Sequence, residues 1–205
     1  TEDSSPCGEV TLSFSNVTTT SIDIDYTSDV AIYGFQFDYS GVDLTGASSD
    51  LGDVSCGATT CLGFSFVGGS LSDGSGTLAS LTFVETASGG TISTSNVIIA
   101  GAGGNELVVS GPADAAIPAC VDSDGDQACD DADEWPDCAD DGTDPYDSCD
   151  DCNGGDAAQD CNGDCYGDAT NDSCGECSGG NSGHEADSDQ DCNGDCFGSA
   201  ADDSC

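Results

Sequence analysis

In this 205-residue chain, the segment that most clearly indicates a chemical role has aspartates at alternate positions. Between residues 122 and 133, carboxylates would occupy positions 1, 3, 5, 9 and 12 of a twelve-residue loop. The ligands would be Asp122, Asp124, Asp126, Asp130 and Asp133, with the backbone carbonyl of Ala128 at position 7. Ca²⁺ takes about six to eight oxygen ligands, and alternate residues of a curled loop can all face one ion. The spacing therefore predicts a calcium site.

Weaker versions of this spacing recur further along the chain. One loop would use Asp160, Asn162, Asp164, Asp168 and the carbonyl of Tyr166, and a second would use Asp191, Asn193, Asp195 and the carbonyl of Phe197. Further candidate ligands are Asp187 and Asp189, and a denser cluster of Asp137, Asp140, Asp141, Asp144 and Asp147. Two alternatives stay open: an acidic run can be a solvated or disordered tail, and C-x₂-C pairs can bind zinc.

Fifteen cysteines indicate an oxidising, extracellular compartment. From Cys149 onward they belong to a repeat of C-x₂-C-x-G-G, a variable loop and D-C-N-G-D-C-aromatic-G. Pairing in chain order would give Cys120–Cys129, Cys138–Cys149, Cys152–Cys161, Cys165–Cys174, Cys177–Cys192 and Cys196–Cys205, although sequence alone does not fix connectivity. Cys56 and Cys61 are close enough for a local bridge. Cys7 would be free, pair between subunits, or bond Cys120 and shift the register.

The charge balance excludes several kinds of partner. The chain has 41 acidic residues, no Lys or Arg and one His, which gives a formal net charge of −41. Nucleic-acid binding is excluded because phosphates need cationic side chains. The longest apolar stretch, residues 97–102, is far shorter than the ~20 residues of a membrane-spanning helix, so no membrane insertion is expected. Bound divalent cations would relieve the repulsion that opposes compaction.

The composition predicts two domains, residues 1–117 and 118–205. The stretch from Gly111 to Pro118 has the composition of a linker. After Cys120 the large apolar residues are only Val121, Trp135, Tyr146, Tyr166 and Phe197, which is too few for a hydrophobic core. The second domain therefore has to be held by metal ions and disulfides.

The first domain has the alternating pattern of β-strands with one buried face. The alternating apolar residues are Val10, Leu12 and Phe14; Ile22, Ile24 and Tyr26; Tyr33, Phe35, Phe37 and Tyr39; Leu62, Phe64 and Phe66; and Leu81 and Phe83. Eight or nine short strands with Gly- and Ser-rich gaps predict a β-sandwich. The aromatic row from Tyr33 to Tyr39 fits the core better than a sugar-stacking surface.

Two family resemblances accompany these patterns. The runs VAIYGFQFDYSGVDLTGAS (30–48) and LGFSFVGGSLSDGSGTLASLTFVETASGGTIS (62–93) resemble cohesin-like domains, which are jelly-roll β-sandwiches related to carbohydrate-binding modules. Cellulosomal cohesins bind dockerins, but no contact residues can be assigned in this chain. The loop at 122–133 resembles thrombospondin type 3 repeats. It departs from an EF-hand because Gln127 replaces Gly, Asp133 replaces Glu, and the flanks leave no room for helices.

No motif favours catalysis. His184 lacks an activated Ser or Cys partner, and no pair among the 41 acids stands out as a hydrolytic pair, so we expect no enzyme. Asn16 and Asn171 begin N-glycosylation sequons. The chain is expected to be an extracellular calcium-binding structural protein that self-associates into a surface fibre or adhesion stalk. The alternative is a carbohydrate- or protein-binding module on a calcium-stiffened spacer.

Overall fold

The computed structural model describes residues 8–200, and their regular structure is almost entirely β. The strands are β1 (Glu9–Ser15), β2 (Ser21–Ser28), β3 (Gly34–Ser40), β4 (Leu44–Ser48), β5 (Asp53–Cys56), β6 (Thr60–Phe64), β7 (Gly74–Phe83), β8 (Gly90–Ala100), β9 (Val108–Ser110), β10 (Ala115–Ile117), β11 (Thr170–Asn171) and β12 (Cys177–Ser178). A 3-10 turn spans Ala102–Gly104. Within residues 8–200, no helix has the length and apolar character needed to cross a bilayer.

The first ten strands form two five-stranded sheets that pack as a β-sandwich. The order is β4-β7-β2-β1-β9 in the first sheet and β10-β8-β3-β6-β5 in the second. Neighbouring strands are antiparallel except for β1 and β9, which run parallel with Glu9 opposite Val108. This architecture confirms the mainly-β sandwich that alternation predicted.

The core lies between the two sheets and follows the predicted alternation in β1, β2 and β3. Its buried members from these strands are Val10, Leu12, Ile22, Ile24, Tyr26, Phe35, Phe37 and Tyr39. Three of the four residues in the aromatic row are therefore core residues. Tyr33 precedes β3 and remains 41% exposed.

Strand β6 presents the opposite face from the one that the sequence predicted. Leu62 is 43% exposed, and Phe66, just beyond the strand, is 81% exposed, whereas Cys61 and Gly63 face the core. A Cβ atom at Gly63 would lie 2.1 Å from Cζ of Phe35, so only glycine leaves room for that ring. The expectation that Leu62, Phe64 and Phe66 form the buried face of this strand was wrong, because a shift of one residue moves every side chain to the other face.

Contacts divide the chain into two compact units. The boundary between them lies further along the chain than residue 117, where the sequence predicted it. Within residues 8–200, the first unit runs to Ser123 and also contains Gln127–Asp133; the second contains Asp124–Asp126 and residues 134–200. Residues after Ile117 stay with the sandwich because the Cys120 N–H donates to the carbonyl of Thr86 at 3.2 Å, and Cys120 is bonded to Cys129. We call residues 134–200 the acidic array.

Substitution of Gly63 by alanine should destabilise the sandwich by about 1–3 kcal/mol, because the added methyl group overlaps the Phe35 ring. Gly34→Ala is the matched control, since a Cβ atom there would lie 3.5 Å from the Gly63 carbonyl, at ordinary contact distance. Urea unfolding followed by circular dichroism measures both. Equal stability of the two variants would contradict the inward placement of Gly63.

Candidate functional site

A six-residue turn occurs four times in the described part of the acidic array, and each copy begins with Asp and ends with Cys. Aspartate turns 1 to 4 span residues 147–152, 160–165, 172–177 and 191–196. In each turn the Asp N–H donates to the carbonyl of the fifth residue at 2.9–3.1 Å, and the fourth N–H donates to the Asp carbonyl at 2.9–3.0 Å. The fourth residue has a φ of 60–84° and is glycine in turns 2 to 4, as this left-handed conformation favours.

The carboxylate of the leading aspartate accepts three backbone N–H groups in every turn. Its Oδ1 accepts from the third residue at 2.8–2.9 Å and from the fifth at 3.0–3.1 Å. Its Oδ2 accepts from a residue further along the chain at 2.8–3.0 Å. The donors to Oδ2 are Asp156, Ala169, Asp187 and Ala200 for turns 1 to 4. The leading carboxylate thus organises its own turn and the segment that follows.

A glycine two residues after turns 1, 2 and 4 keeps space for this carboxylate. Cβ atoms at Gly154, Gly167 and Gly198 would lie 2.0–2.3 Å from Oδ2 of the leading aspartate. Turn 3 is different, because its Oδ2 bonds Asp187 in a longer insertion and Gly179 has no such contact. All four copies have glycine at this position, so they share the spacing D-x₄-C-x-G, which the pattern of calcium ligands does not include.

Hydrogen bonding holds the pKa of all four leading carboxyls below the usual range. For Asp160 the strongest contribution is the Ala169 N–H, with burial opposing it. Asp147 and Asp191 follow the same pattern, led by the N–H groups of Asp151 and Ala200. At Asp172, burial raises the pKa, but three N–H groups and His184 together lower it. These carboxylates are stabilised in their charged form by the turn around them.

Disulfides connect each aspartate turn to the next one. The first cysteine of a turn is bonded to the last cysteine of the following turn, which gives Cys149–Cys165, Cys161–Cys177 and Cys174–Cys196. Cys138–Cys152 attaches the preceding segment to the end of turn 1 in the same way. The loops overlap, so along residues 138–196 every peptide bond is spanned by at least one bridge. We call this set of four bonds the disulfide ladder.

The ladder differs from pairing in chain order. Cys56–Cys61 and Cys120–Cys129 join the residues that the sequence paired. The structure does not form Cys138–Cys149, Cys152–Cys161, Cys165–Cys174 or Cys177–Cys192, because hydrogen bonds already close each turn and its two cysteines are bonded to neighbouring turns. Cys196 is bonded to Cys174, while Cys7 and Cys205 lie outside the described residues. The C-x₂-C cysteines at 149/152 and 174/177 are all oxidised, which removes the thiolates that zinc would need.

The first predicted calcium loop brings three of its carboxylates together. Oxygens of Asp122, Asp124 and Asp126, which lie two residues apart along one turn of chain, are within 4.8 Å of one another. Asp130 is used differently, since its two oxygens accept the N–H and Oγ–H of Ser123, both at 2.7 Å. An all-oxygen set of this kind could hold a hard divalent cation such as Ca²⁺.

The weaker predicted loops are arranged around backbone donors. Asp160 and Asp191 lead turns 2 and 4, and Asn162 donates its side-chain N–H to Asp164 at 2.9 Å. Within residues 134–200 no group of three metal-ligating side chains converges within 4.8 Å. The acidic residues among the predicted ligands of this region that belong to no such group are Asp137, Asp141, Asp144, Asp168, Asp187, Asp189 and Asp195. Asn193 and the carbonyls of Tyr166 and Phe197 stay predictions. Asn16 and Asn171, the sequon residues, are both exposed.

His184 lies beside two carboxylates in the insertion after turn 3. Its Nε2 is 3.1 Å from Oδ2 of Asp189 and 3.9 Å from Oδ2 of Asp172. The hydroxyl of Ser188 lies 3.2 Å from the same nitrogen. All of these contacts involve Nε2. A serine–histidine–carboxylate relay uses both ring nitrogens, so Ser188, His184 and Asp189 do not form one.

Comparison with known proteins gives similarity only among solved structures. No family model matches the chain, and no curated protein matches it. A non-cellulosomal cohesin from the archaeon Archaeoglobus fulgidus is 12% identical over 50% of this chain and 85% of its own, with a TM-score of 0.38. A chain of a type I cohesin–dockerin complex from Clostridium thermocellum is 11% identical over 53% and 91%, with a TM-score of 0.39.

A type I cohesin from Pseudobacteroides cellulosolvens is 14% identical over 54% of this chain and 90% of its own, with a TM-score of 0.36. These solved structures belong to the class of domain that the first half of the sequence resembles. Similarity at this identity and TM-score carries no argument about what the chain binds.

Hydroxylamine cleavage should distinguish the ladder from pairing in chain order. The reagent cuts Asn–Gly bonds, including Asn162–Gly163 between Cys161 and Cys165. In the ladder, Cys149–Cys165 and Cys161–Cys177 both span that bond, so the fragments stay joined until they are reduced. Chain-order pairing leaves the bond without a bridge. The cleaved chain is unfolded without reduction and analysed by mass spectrometry. Separate fragments before reduction would contradict the ladder.

Acid should release the aspartate turns over a defined range of pH. Each leading carboxyl has a lower pKa in the turn than in the unfolded chain, so its contribution to stability is complete above the unfolded value of about 3.9 and is lost as pH falls through the folded value. Carboxyl ¹³C shifts recorded by NMR from neutral pH to about pH 2 should show these four aspartates titrating below unfolded-chain values. Titration of all four at or above those values would refute the bonding described.

Proposed function

We propose that this chain is a non-catalytic extracellular structural protein, in which a β-sandwich assembles with further copies and a disulfide-linked acidic stalk carries it. The observation that carries this proposal is the disulfide ladder. Because the bridges join successive turns, tension cannot draw residues 138–196 out into an extended chain unless disulfides break. This resistance to extension suits a spacer or fibre subunit.

The chemistry of the chain supports an extracellular location and a role for calcium. Six disulfides lie within residues 8–200, and disulfides persist in oxidising compartments. A net charge of −41 opposes compaction, and a divalent cation at Asp122, Asp124 and Asp126 would reduce the repulsion where their carboxylates converge. Calcium binds oxygen ligands in flexible geometries, which suits this oxygen-only set.

Self-association has to proceed without salt bridges to Lys or Arg, because the chain contains neither. Backbone hydrogen bonds at a sheet edge are insensitive to net charge, and such edges pair readily with another strand. The sandwich has edge strands β4 and β9 in one sheet and β5 and β10 in the other. Addition of a strand at one of these edges, with calcium screening the repulsion, is the proposed route to a fibre.

Analytical ultracentrifugation of the oxidised full chain tests this proposal. Millimolar calcium should produce assemblies, and a chelator should dissolve them. Asp124→Ala should raise the calcium concentration that assembly requires, because it removes one ligand of the proposed site. Asp73→Ala is the matched control, since it removes the same charge from an exposed position in the sandwich and should change the requirement little. A strict monomer at high concentration with calcium, together with native material free of fibres by electron microscopy, would overturn the proposal.

The outer face of the second sheet supports a second candidate, a protein-binding module. Leu62 and Ile98 lie on either side of Gln36 on this face and are 43% and 42% exposed. Phe64 and Phe66 continue the apolar surface with ring centroids 4.6 Å apart. A contiguous apolar patch of this kind is typical of interaction sites. The monomer outcome above, with tight binding of a partner that Leu62→Asp abolishes, would favour this candidate.

A further inference from the structure

Two exposed aromatic side chains occupy equivalent positions just after aspartate turns 2 and 4. Tyr166 is 68% exposed and Phe197 is 65% exposed. Both have left-handed backbones, with φ values of 54° and 55°, and both donate their N–H at 2.7 Å to a carbonyl eight residues earlier. At the same position after turn 1 stands Asn153, with φ of 51°. Asparagine tolerates this conformation, whereas a bulky aromatic residue there is a genuine outlier.

The aromatic rings gain little burial in return for this backbone conformation. Tyr166 is held among carboxylates: its hydroxyl donates a hydrogen bond to Asp151, and Asp147 and Asp150 lie near enough to act on it. The bond to Asp151 is the main reason that the pKa of Tyr166 is raised, with burial and the neighbouring charges adding to it. The Tyr166 ring is therefore exposed to solvent and held beside negatively charged carboxylates.

We propose that Tyr166 and Phe197 are docking points for arginine and lysine side chains of a basic segment in another protein. A guanidinium or ammonium group stacks on an aromatic face, and the carboxylates beside Tyr166 add charge attraction there. The partner has to be a different molecule, because this chain has no Lys or Arg to offer a second copy of itself. Charge complementarity favours a basic partner over a neutral one. The inference does not depend on calcium or on assembly through the sandwich.

Titration of the oxidised full chain with a capped hexaarginine peptide tests the proposal, in chelator and at ~0.15 M salt to limit long-range attraction. Tyr166→Asn and Phe197→Asn install the residue found after turn 1, so the backbone conformation is retained. Each substitution should weaken binding roughly two- to five-fold, and the double variant by the product of the two. Tyr166→Phe keeps the aromatic face and should retain most of the binding that Tyr166→Asn loses.

Tyr33→Asn provides the control, because it removes a 41% exposed aromatic ring from the sandwich without changing the acidic array. Its hexaarginine affinity should match that of the original chain. If the double variant Tyr166→Asn with Phe197→Asn binds hexaarginine as tightly as the original chain, the attraction is due to charge alone and the proposal fails. Chemical-shift changes at Tyr166 with a neutral oligosaccharide, and none with hexaarginine, would also overturn it.

Discussion

Hydrogen bonds from backbone N–H groups to one central carboxylate determine the local structure of the acidic array. The array has too few large apolar residues for a hydrophobic core, so its backbone groups need polar partners. The leading aspartate of each turn supplies them with one short side chain, as Asp160 does for Asn162, Asp164 and Ala169. Charge-assisted bonds are the strong class of hydrogen bond, and three N–H dipoles also stabilise the negative charge that they surround.

The disulfide ladder and the geometry that the four turns share follow from these hydrogen bonds to the leading carboxylate. Because hydrogen bonds close each turn, its two cysteines can be bonded to the turns before and after it. Glycine is needed where a Cβ atom would meet the carboxylate, as at Gly167. The sandwich is stabilised by apolar side chains packed between its two sheets. The two halves of the chain are therefore stabilised by different interactions.

Sequence patterns predicted the sandwich well and the acidic array only in part. Alternation identified the buried faces of β1, β2 and β3, because apolar residues on those strands outnumber polar ones on one face only. It failed at β6, where Leu62 and Phe64 point outward and the space beside Phe35 admits only Gly63. Burial there depends on a residue with no side chain, which a search for apolar residues cannot find.

In the acidic array, aspartate spacing alone does not distinguish a metal ligand from an acceptor of backbone N–H groups. Asp160 and Asp191 occupy the first position of a calcium-like pattern, yet their carboxylates turn inward to the chain. The shared D-x₄-C-x-G spacing was visible but has meaning only once the left-handed fourth residue and the glycine contact are known. Disulfide connectivity was likewise beyond the sequence, because regular spacing is compatible with several pairings.

Amide hydrogen exchange in the oxidised chain, measured by NMR at neutral pH in chelator, tests the role of these carboxylates most directly. Exchange at the N–H groups of Asn162, Asp164 and Ala169, and at their counterparts in the other turns, should be at least about ten-fold slower than in an unfolded chain. Asp160→Ala should abolish the protection in turn 2 and leave turn 4 unchanged. Unprotected exchange at all of these amides until calcium is added would show that metal ions, and not backbone bonds to carboxylates, hold the acidic array together.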